Sequence, residues 1–166
     1  MEYGKSCCFS GHRPSKLPWG YDELDPRCIE FKDRLFTVIC AVYESGIKDF
    51  ICGMALGCDM YCAEVVMHLK TMHSDISLRA AVPYRGQADG WNEYNRRRYK
   101  HILDNCDEVN ILFEHYNPGC MAVRNRFMVD NSSLLIACYD GQPGGTWNTI
   151  SYAEKKGIEV IQLPIE

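Results

Sequence analysis

Three short motifs are missing from this chain: G-x-G-x-x-G, G-x-x-x-x-G-K-[ST] and G-x-S-x-G. Their absence argues against an ordinary NAD-dependent dehydrogenase, a P-loop NTPase and a serine-elbow hydrolase respectively. Long apolar runs are also absent, and none approaches the ~20 residues needed to span a bilayer. The opening Met1-Glu2-Tyr3-Gly4-Lys5 is not followed by a signal-peptide apolar region. Positive charge is in short supply: 18 Lys and Arg against 22 Asp and Glu give a net charge of −4. No global field therefore draws the protein toward nucleic acid or an anionic membrane, although a local basic patch is still allowed.

What is present fits one domain covering 1–166, with 46% hydrophobic and 24% charged residues, proportions ordinary for a globular protein. Ten cysteines would suggest disulfides in a secreted chain. Here Cys7, Cys8, Cys40, Cys52 and Cys138 lie inside apolar runs, where a thiol behaves as a small hydrophobe. With no secretory signal, the expectation is reduced thiols in a cytoplasm. The Asn131-Ser132-Ser133 sequon carries no meaning in that compartment.

Read in order, short apolar runs alternate with helically spaced segments. Cys7-Cys8-Phe9 opens into the turn Ser10-Gly11-His12-Arg13-Pro14. Asp25-Pro26 starts a helix, Asp at the N-cap and Pro at the first position, and Gly46 ends it. Further strands are expected at 48–53, 78–84, 109–113, 134–138 and 159–163, with helices after Asp59, over 91–105, over 121–131 and after Thr146. Apolar strands alternating with helices imply an α/β, Rossmann-like, doubly wound and mostly parallel sheet of about six strands, helices on both faces. Ligands bind such sheets beyond the carboxyl ends of the strands, where strand order reverses. An order of 3-2-1-4-5-6 would put strands 1 and 4 at that point.

The glycine-rich turns fall on this rim. Leu134–Cys138 stops at Tyr139-Asp140-Gly141, and Pro143-Gly144-Gly145-Thr146 then leads into a helix. Free N–H groups and the positive end of the helix dipole make such a turn an anion site, unless glycine serves only to let the chain turn. Gly53 to Asp59 forms a second such loop and Gly11-His12-Arg13 a third. Each candidate has two readings. His12 either contacts a phosphate or bridges backbone groups, while Arg13 suits bidentate phosphate binding. Asp59 either touches ribose hydroxyls or caps the next helix, and capping alone explains it. Asp140 either orients a ribose or base edge or closes an Asx-turn with Gly141. Of Arg124 and Arg126, two positions apart on one helix, at most one can face the crevice. Arg96-Arg97-Arg98 reads as a solvated face. Cys58 and Cys62 have helical spacing, but no second ligand pair has zinc spacing, so no metal is expected.

These turns, in this order, resemble the SLOG superfamily, which includes the DNA-processing protein DprA, the LOG proteins and the YpsA-related proteins. The resemblance covers nearly the whole chain. Its length, with Trp91, Tyr94 and Tyr139-Asp140-Gly141, is most similar to the YpsA-related branch. The resemblance implies a sensor-type domain binding a nucleotide, a nucleotide derivative or phosphate, with no obligatory cofactor and a homo-oligomeric state. Carried over, the binding turns are Gly11, Arg13, Gly53, Gly57, Asp59, Arg124, Asn125, Gly144, Gly145 and Thr146; His12, Asp140 and Gly141 join them from the rim. LOG enzymes carry P-G-G-x-G-T-x-x-E, whereas here Thr146 is followed by no Glu before Glu154. A LOG-like phosphoribohydrolase would have to use Asp140, Asp59 or Asp130 as its acid. DprA-like single-stranded DNA binding would use Arg96 to Arg98 and Arg124 or Arg126. The chain, however, has an acidic balance and Leu56 where DprA often has arginine.

Overall fold

The computed structural model describes residues 5–165. Six strands, β1 (Ser6–Gly11), β2 (Asp49–Cys52), β3 (Ser77–Val82), β4 (Glu108–Ile111), β5 (Leu134–Tyr139) and β6 (Glu159–Pro164), alternate with five helices. These are α1 (Pro26–Glu44), α2 (Cys58–Met72), α3 (Glu93–Asp104), α4 (Cys120–Asp130) and α5 (Gly145–Lys156). Every neighbouring pair of strands is parallel. Among the described residues no helix is long and apolar enough to cross a membrane.

Local chemistry explains the elements. The Asp25 carboxylate accepts the Arg27 N–H at 2.8 Å, Pro26 opens α1, and Cys28, Phe31, Leu35, Ile39 and Val42 form its buried stripe. Alternation along the strands then sorts the core. Cys7 and Phe9 of β1 pack with α1, α2 and α3, whereas Cys8 faces α4 and α5. Phe9 stacks on Phe50 of β2 with ring centroids 6.1 Å apart, and each fully buried ring of this kind contributes about 1.5–3 kcal/mol by leaving water.

The strand order is β4-β3-β2-β1-β5-β6. The expected order is thus corrected: β5, not β4, lies beside β1, and β4 is an edge strand. The reason is burial. The first five residues of β5 are covered on both faces, which demands a central position. β4 alternates between half-buried and exposed residues, Glu108 and Asn110 being the half-buried ones, and tolerates an edge. Successive parallel crossovers carry the chain from β1 outward to β4 with α1–α3 on one face, the arrangement that the right-handed rule for such units favours. The jump back to β5 puts α4 and α5 on the other.

Candidate functional site

The reversal of strand order falls between β1 and β5, where Gly11 pairs with Cys138. Gly11 is the last residue of β1, and the reason for glycine is packing: a Cβ there would sit 2.4 Å from Cys58 Cβ and 2.9 Å from Cys138 Cβ. Behind it, the neighbouring Cys138 sulfur together with burial pushes the Cys58 pKa well up, and burial together with Cys138 does the same for Cys62. All ten cysteines are free.

The chain then turns into the cleft. The His12 ring is buried, with Nε2 2.8 Å from Asp140 Oδ1, off the axis of an aligned hydrogen bond. His12 holds the Asp140 carboxyl below its usual range. Asp140 also accepts the Gln142 N–H at 2.9 Å, so the Asx-turn and the contact with His12 coexist. Arg13 is exposed and leads into a 3-10 turn, Pro14–Lys16.

The β2 exit loop supplies the floor. Met54 is buried at φ 64°, a left-handed conformation that costs a side-chain-bearing residue about 1–2 kcal/mol. That twist points Gly53 O at Arg124, whose Nη1 donates to it, while the Ala55 N–H donates to Asp59 Oδ2 at 3.2 Å. Asp59 is therefore not the cap of α2. It is the second helical residue, 5% exposed, and Gly57 holds the N-cap position at φ 89°. Burial raises the Asp59 pKa, and Arg124 is the largest opposing influence. Arg124 itself is 4% exposed, and its Nε donates to Asn125 Oδ1 at 2.8 Å. Glycine is required at 53 because a Cβ would meet Asp59 Oδ2 at 2.9 Å and the Arg124 guanidinium at 3.0 Å.

The third wall is the start of α5. No side chain caps it, no acid lies in its first turn, and Gly145 faces open space. Its first N–H groups and its dipole are left for an anion. A cleft of about 180 Å³ runs between these walls, lined by Gly11, His12, Arg13, Asp59, Arg124, Asn125, Gly145 and Thr146 among the expected residues. Gly53, Gly57, Asp140, Gly141 and Gly144 stand behind or beside it and do not line it.

Five lining residues are not among the expected site residues: Ser10, Ser15, Lys16, Ala55 and Met121. Lys16 matters most. Its Nζ lies 2.9 Å from where a Gly144 Cβ would be, so the 3-10 turn reaches the Pro143–Thr146 loop. Neither Arg13 nor Lys16 has an ion pair or side-chain hydrogen bond among the described residues. Lysine two residues after a Pro-opened turn was the available signal. Arg98 corrects the solvated-face reading: it is 11% exposed and grips Glu23 and Glu64 at 2.5–2.9 Å. Asp130 ends α4 away from the rim, bonded to the Tyr152 hydroxyl at 2.8 Å and 3.7 Å from Lys156. Among the described residues no cluster of His, Cys, Asp and Glu has metal-holding geometry.

Fold and cleft together define a Rossmann-like domain with a cation-lined crevice at its strand reversal. The chain belongs to the YspA SLOG family, whose YpsA model matches residues 7–163. UPF0398 proteins of Bacillus thuringiensis (strain Al Hakam) and Bacillus cereus (strain Q1) are each 30% identical over 157 residues, 92% of this chain and 84% of theirs. DNA processing protein A of Helicobacter pylori, a single-stranded DNA binder, superposes with a TM-score of 0.66 at 16% identity, covering 99% of this chain and 67% of that one. The Streptococcus pneumoniae DNA processing protein A gives 0.61 at 16% identity, over 95% and 50%.

Proposed function

We propose that the protein binds a phosphate-bearing nucleotide or nucleotide derivative as a sensor-type module of a reducing, cytoplasmic compartment. The observation that carries this reading is the convergence of two uncommitted cations, Arg13 and Lys16, with the uncapped N-terminus of α5 and the buried Arg124 in one cleft. Cations and free N–H groups aimed at one point favour a phosphate more than any neutral group. Only Asp59 opposes them from the wall.

The carboxylates favour holding over cutting. Asp59 is buried and engaged with the Ala55 N–H, Asp140 is held by His12 and Gln142, and Asp130 lies away from the rim. Arg98, which a strand-binding surface would need, is committed to two glutamates.

Thermal denaturation with AMP, ADP-ribose and NAD tests the proposal. A ligand at a hundred times its Kd adds about 2.7 kcal/mol, a Tm rise of roughly 5–10 °C for a chain of this size. Arg13→Ala should reduce the rise. Gly145→Asp should abolish it without lowering the Tm of the free protein, because its side chain enters open space at a helix N-terminus that tolerates a carboxylate. No shift with any of the three compounds would overturn the proposal.

A further inference from the structure

Beside the phosphate cleft lies a second compartment of about 210 Å³, sharing Arg13, Ser15, Ala55 and Met121 with it. The two are halves of one crevice with different linings. The first presents cations and backbone N–H groups; the second presents three aromatic rings, Tyr21, Tyr84 and Trp91. The rings come from three separate places: the loop after β1, the end of β3 and the approach to α3. Two are braced edge-on by neighbours, Trp91 by Tyr99 at 5.3 Å and Tyr84 by Tyr116 at 5.4 Å between ring centroids. Tyr21 is 68% exposed and stands at the mouth.

One polar side chain is buried in this compartment. Gln87 is 6% exposed, and its Oε1 accepts the Tyr99 hydroxyl at 3.4 Å. Its amide N–H groups have no acceptor among the described residues. A carboxamide with donors to spare, set among rings, matches the edge of a heteroaromatic base. In combined size the two compartments fall at the lower end of the roughly 300–1,000 Å³ of ordinary ligand pockets.

We infer that this compartment seats the base of the nucleotide whose phosphate occupies the neighbouring cleft. The ring stacks among Tyr21, Tyr84 and Trp91, and Gln87 donates to a ring nitrogen or carbonyl at its edge. The inference rests on the phosphate reading and adds the part of the ligand that confers selectivity: a purine or pyrimidine nucleotide is preferred over a bare sugar phosphate. A groove of about 560 Å³ between α4 and α5 also adjoins the phosphate cleft, but its one ring is already committed. Tyr152 carries Arg126 and Lys156 at 5.5 Å from its centroid and bonds Asp130 through its hydroxyl.

Calorimetric titration of the whole protein with AMP, ribose 5-phosphate and adenosine separates the parts. AMP should bind roughly ten- to a hundredfold tighter than ribose 5-phosphate, the size of one stacking contact. Trp91→Ala should erase that advantage and leave ribose 5-phosphate binding unchanged. Trp91 packs against the core, so the exposed Tyr21→Ala and the isosteric Gln87→Glu provide variants expected to fold, each narrowing the AMP advantage. Equal affinity of AMP and ribose 5-phosphate for the wild type would overturn the base compartment alone. So would an AMP advantage that survives all three variants but is lost in Tyr152→Ala, which would move the ring to the other groove. Binding of adenosine as tight as AMP, untouched by Arg13→Ala, would remove the phosphate reading while leaving the aromatic compartment standing. No binding of any of the three compounds would end both.

Discussion

Replacing Arg124 with methionine isolates the electrostatics beneath the cleft. The guanidinium bonds Gly53 O and Asn125 and faces the buried Asp59 across the missing side chain of Gly53. Asp59 Oδ2 and Arg124 Nη1 lie 2.9 and 3.0 Å from the position a Gly53 Cβ would take, so they are at most about 6 Å apart. At a separation of about 5 Å and an effective dielectric of about 20, their attraction is about 3 kcal/mol. Methionine keeps most of the volume and loses that attraction, together with hydrogen bonds worth about 1 kcal/mol each. The two losses differ in pH dependence. Burial already lifts the Asp59 pKa above its unfolded value, and losing Arg124 lifts it further. A carboxyl with a raised folded pKa binds more protons folded than unfolded, so its contribution to stability falls as pH rises. The electrostatic deficit of Arg124→Met is therefore absent below the wild-type folded pKa of Asp59. It grows between that pKa and the higher one of the variant, and is complete above both. Urea unfolding from the ordinary Asp range, about pH 4, up to about pH 8 should show the gap to wild type widening by up to about 3 kcal/mol. Adding Asp59→Asn should remove the widening and leave the constant part. A deficit independent of pH would refute the Asp59–Arg124 coupling.

Two further outcomes follow from neighbouring residues. Gly57→Ala places a Cβ 2.6 Å from His12 O at φ 89°; left-handed strain and overpacking together cost about 2–5 kcal/mol. A loss in urea unfolding below about 1 kcal/mol, smaller than either effect alone, would mean that the α2 entry relaxes freely. His12→Gln removes the main influence depressing the Asp140 pKa, so an NMR titration should show that carboxyl protonating at higher pH. In the wild type, the stability from this contact is present above the unfolded carboxylate range and is lost as pH falls through the folded pKa. An Asp140 titration curve identical in both proteins would mean that the two side chains do not interact.

The sequence is most informative where the chemistry is local. Asp25-Pro26 marks the start of α1 because both the cap and the proline act within two residues. The glycine turns at Gly11, Gly53 and Gly145 are legible for the same reason. What the sequence conceals is partnership over distance. Arg98 looks like one of three solvated arginines because Glu23 and Glu64 are 75 and 34 residues away. Asp59 looks like a cap because caps are common ahead of apolar stripes, and the Ala55 N–H that recruits its carboxylate is turned toward it only by the left-handed Met54. Tyr21 and Tyr84 carry no motif, and Trp91 enters only through the family resemblance; three loops bring the rings together.

Strand order shows how one long-range fact decides what a site can do. With β4 beside β1, β5 would stand two strand spacings away, about 10 Å. His12 could not then lie 2.8 Å from Asp140, nor could Lys16 approach Gly144. The turns after β1, β2 and β5 would still share a rim, but as separate features. Because the apolar β5 needs cover on both faces while the alternating β4 does not, β5 takes the inner place. The glycine loop before α5 is thereby drawn against the cations of the β1 turn. That contact turns a connecting turn into one wall of a cleft, with the start of α5 on one side and Arg13 and Lys16 on the other. Covering a hydrophobic strand and bringing a helix N-terminus against two cations are here consequences of the same exchange of neighbours.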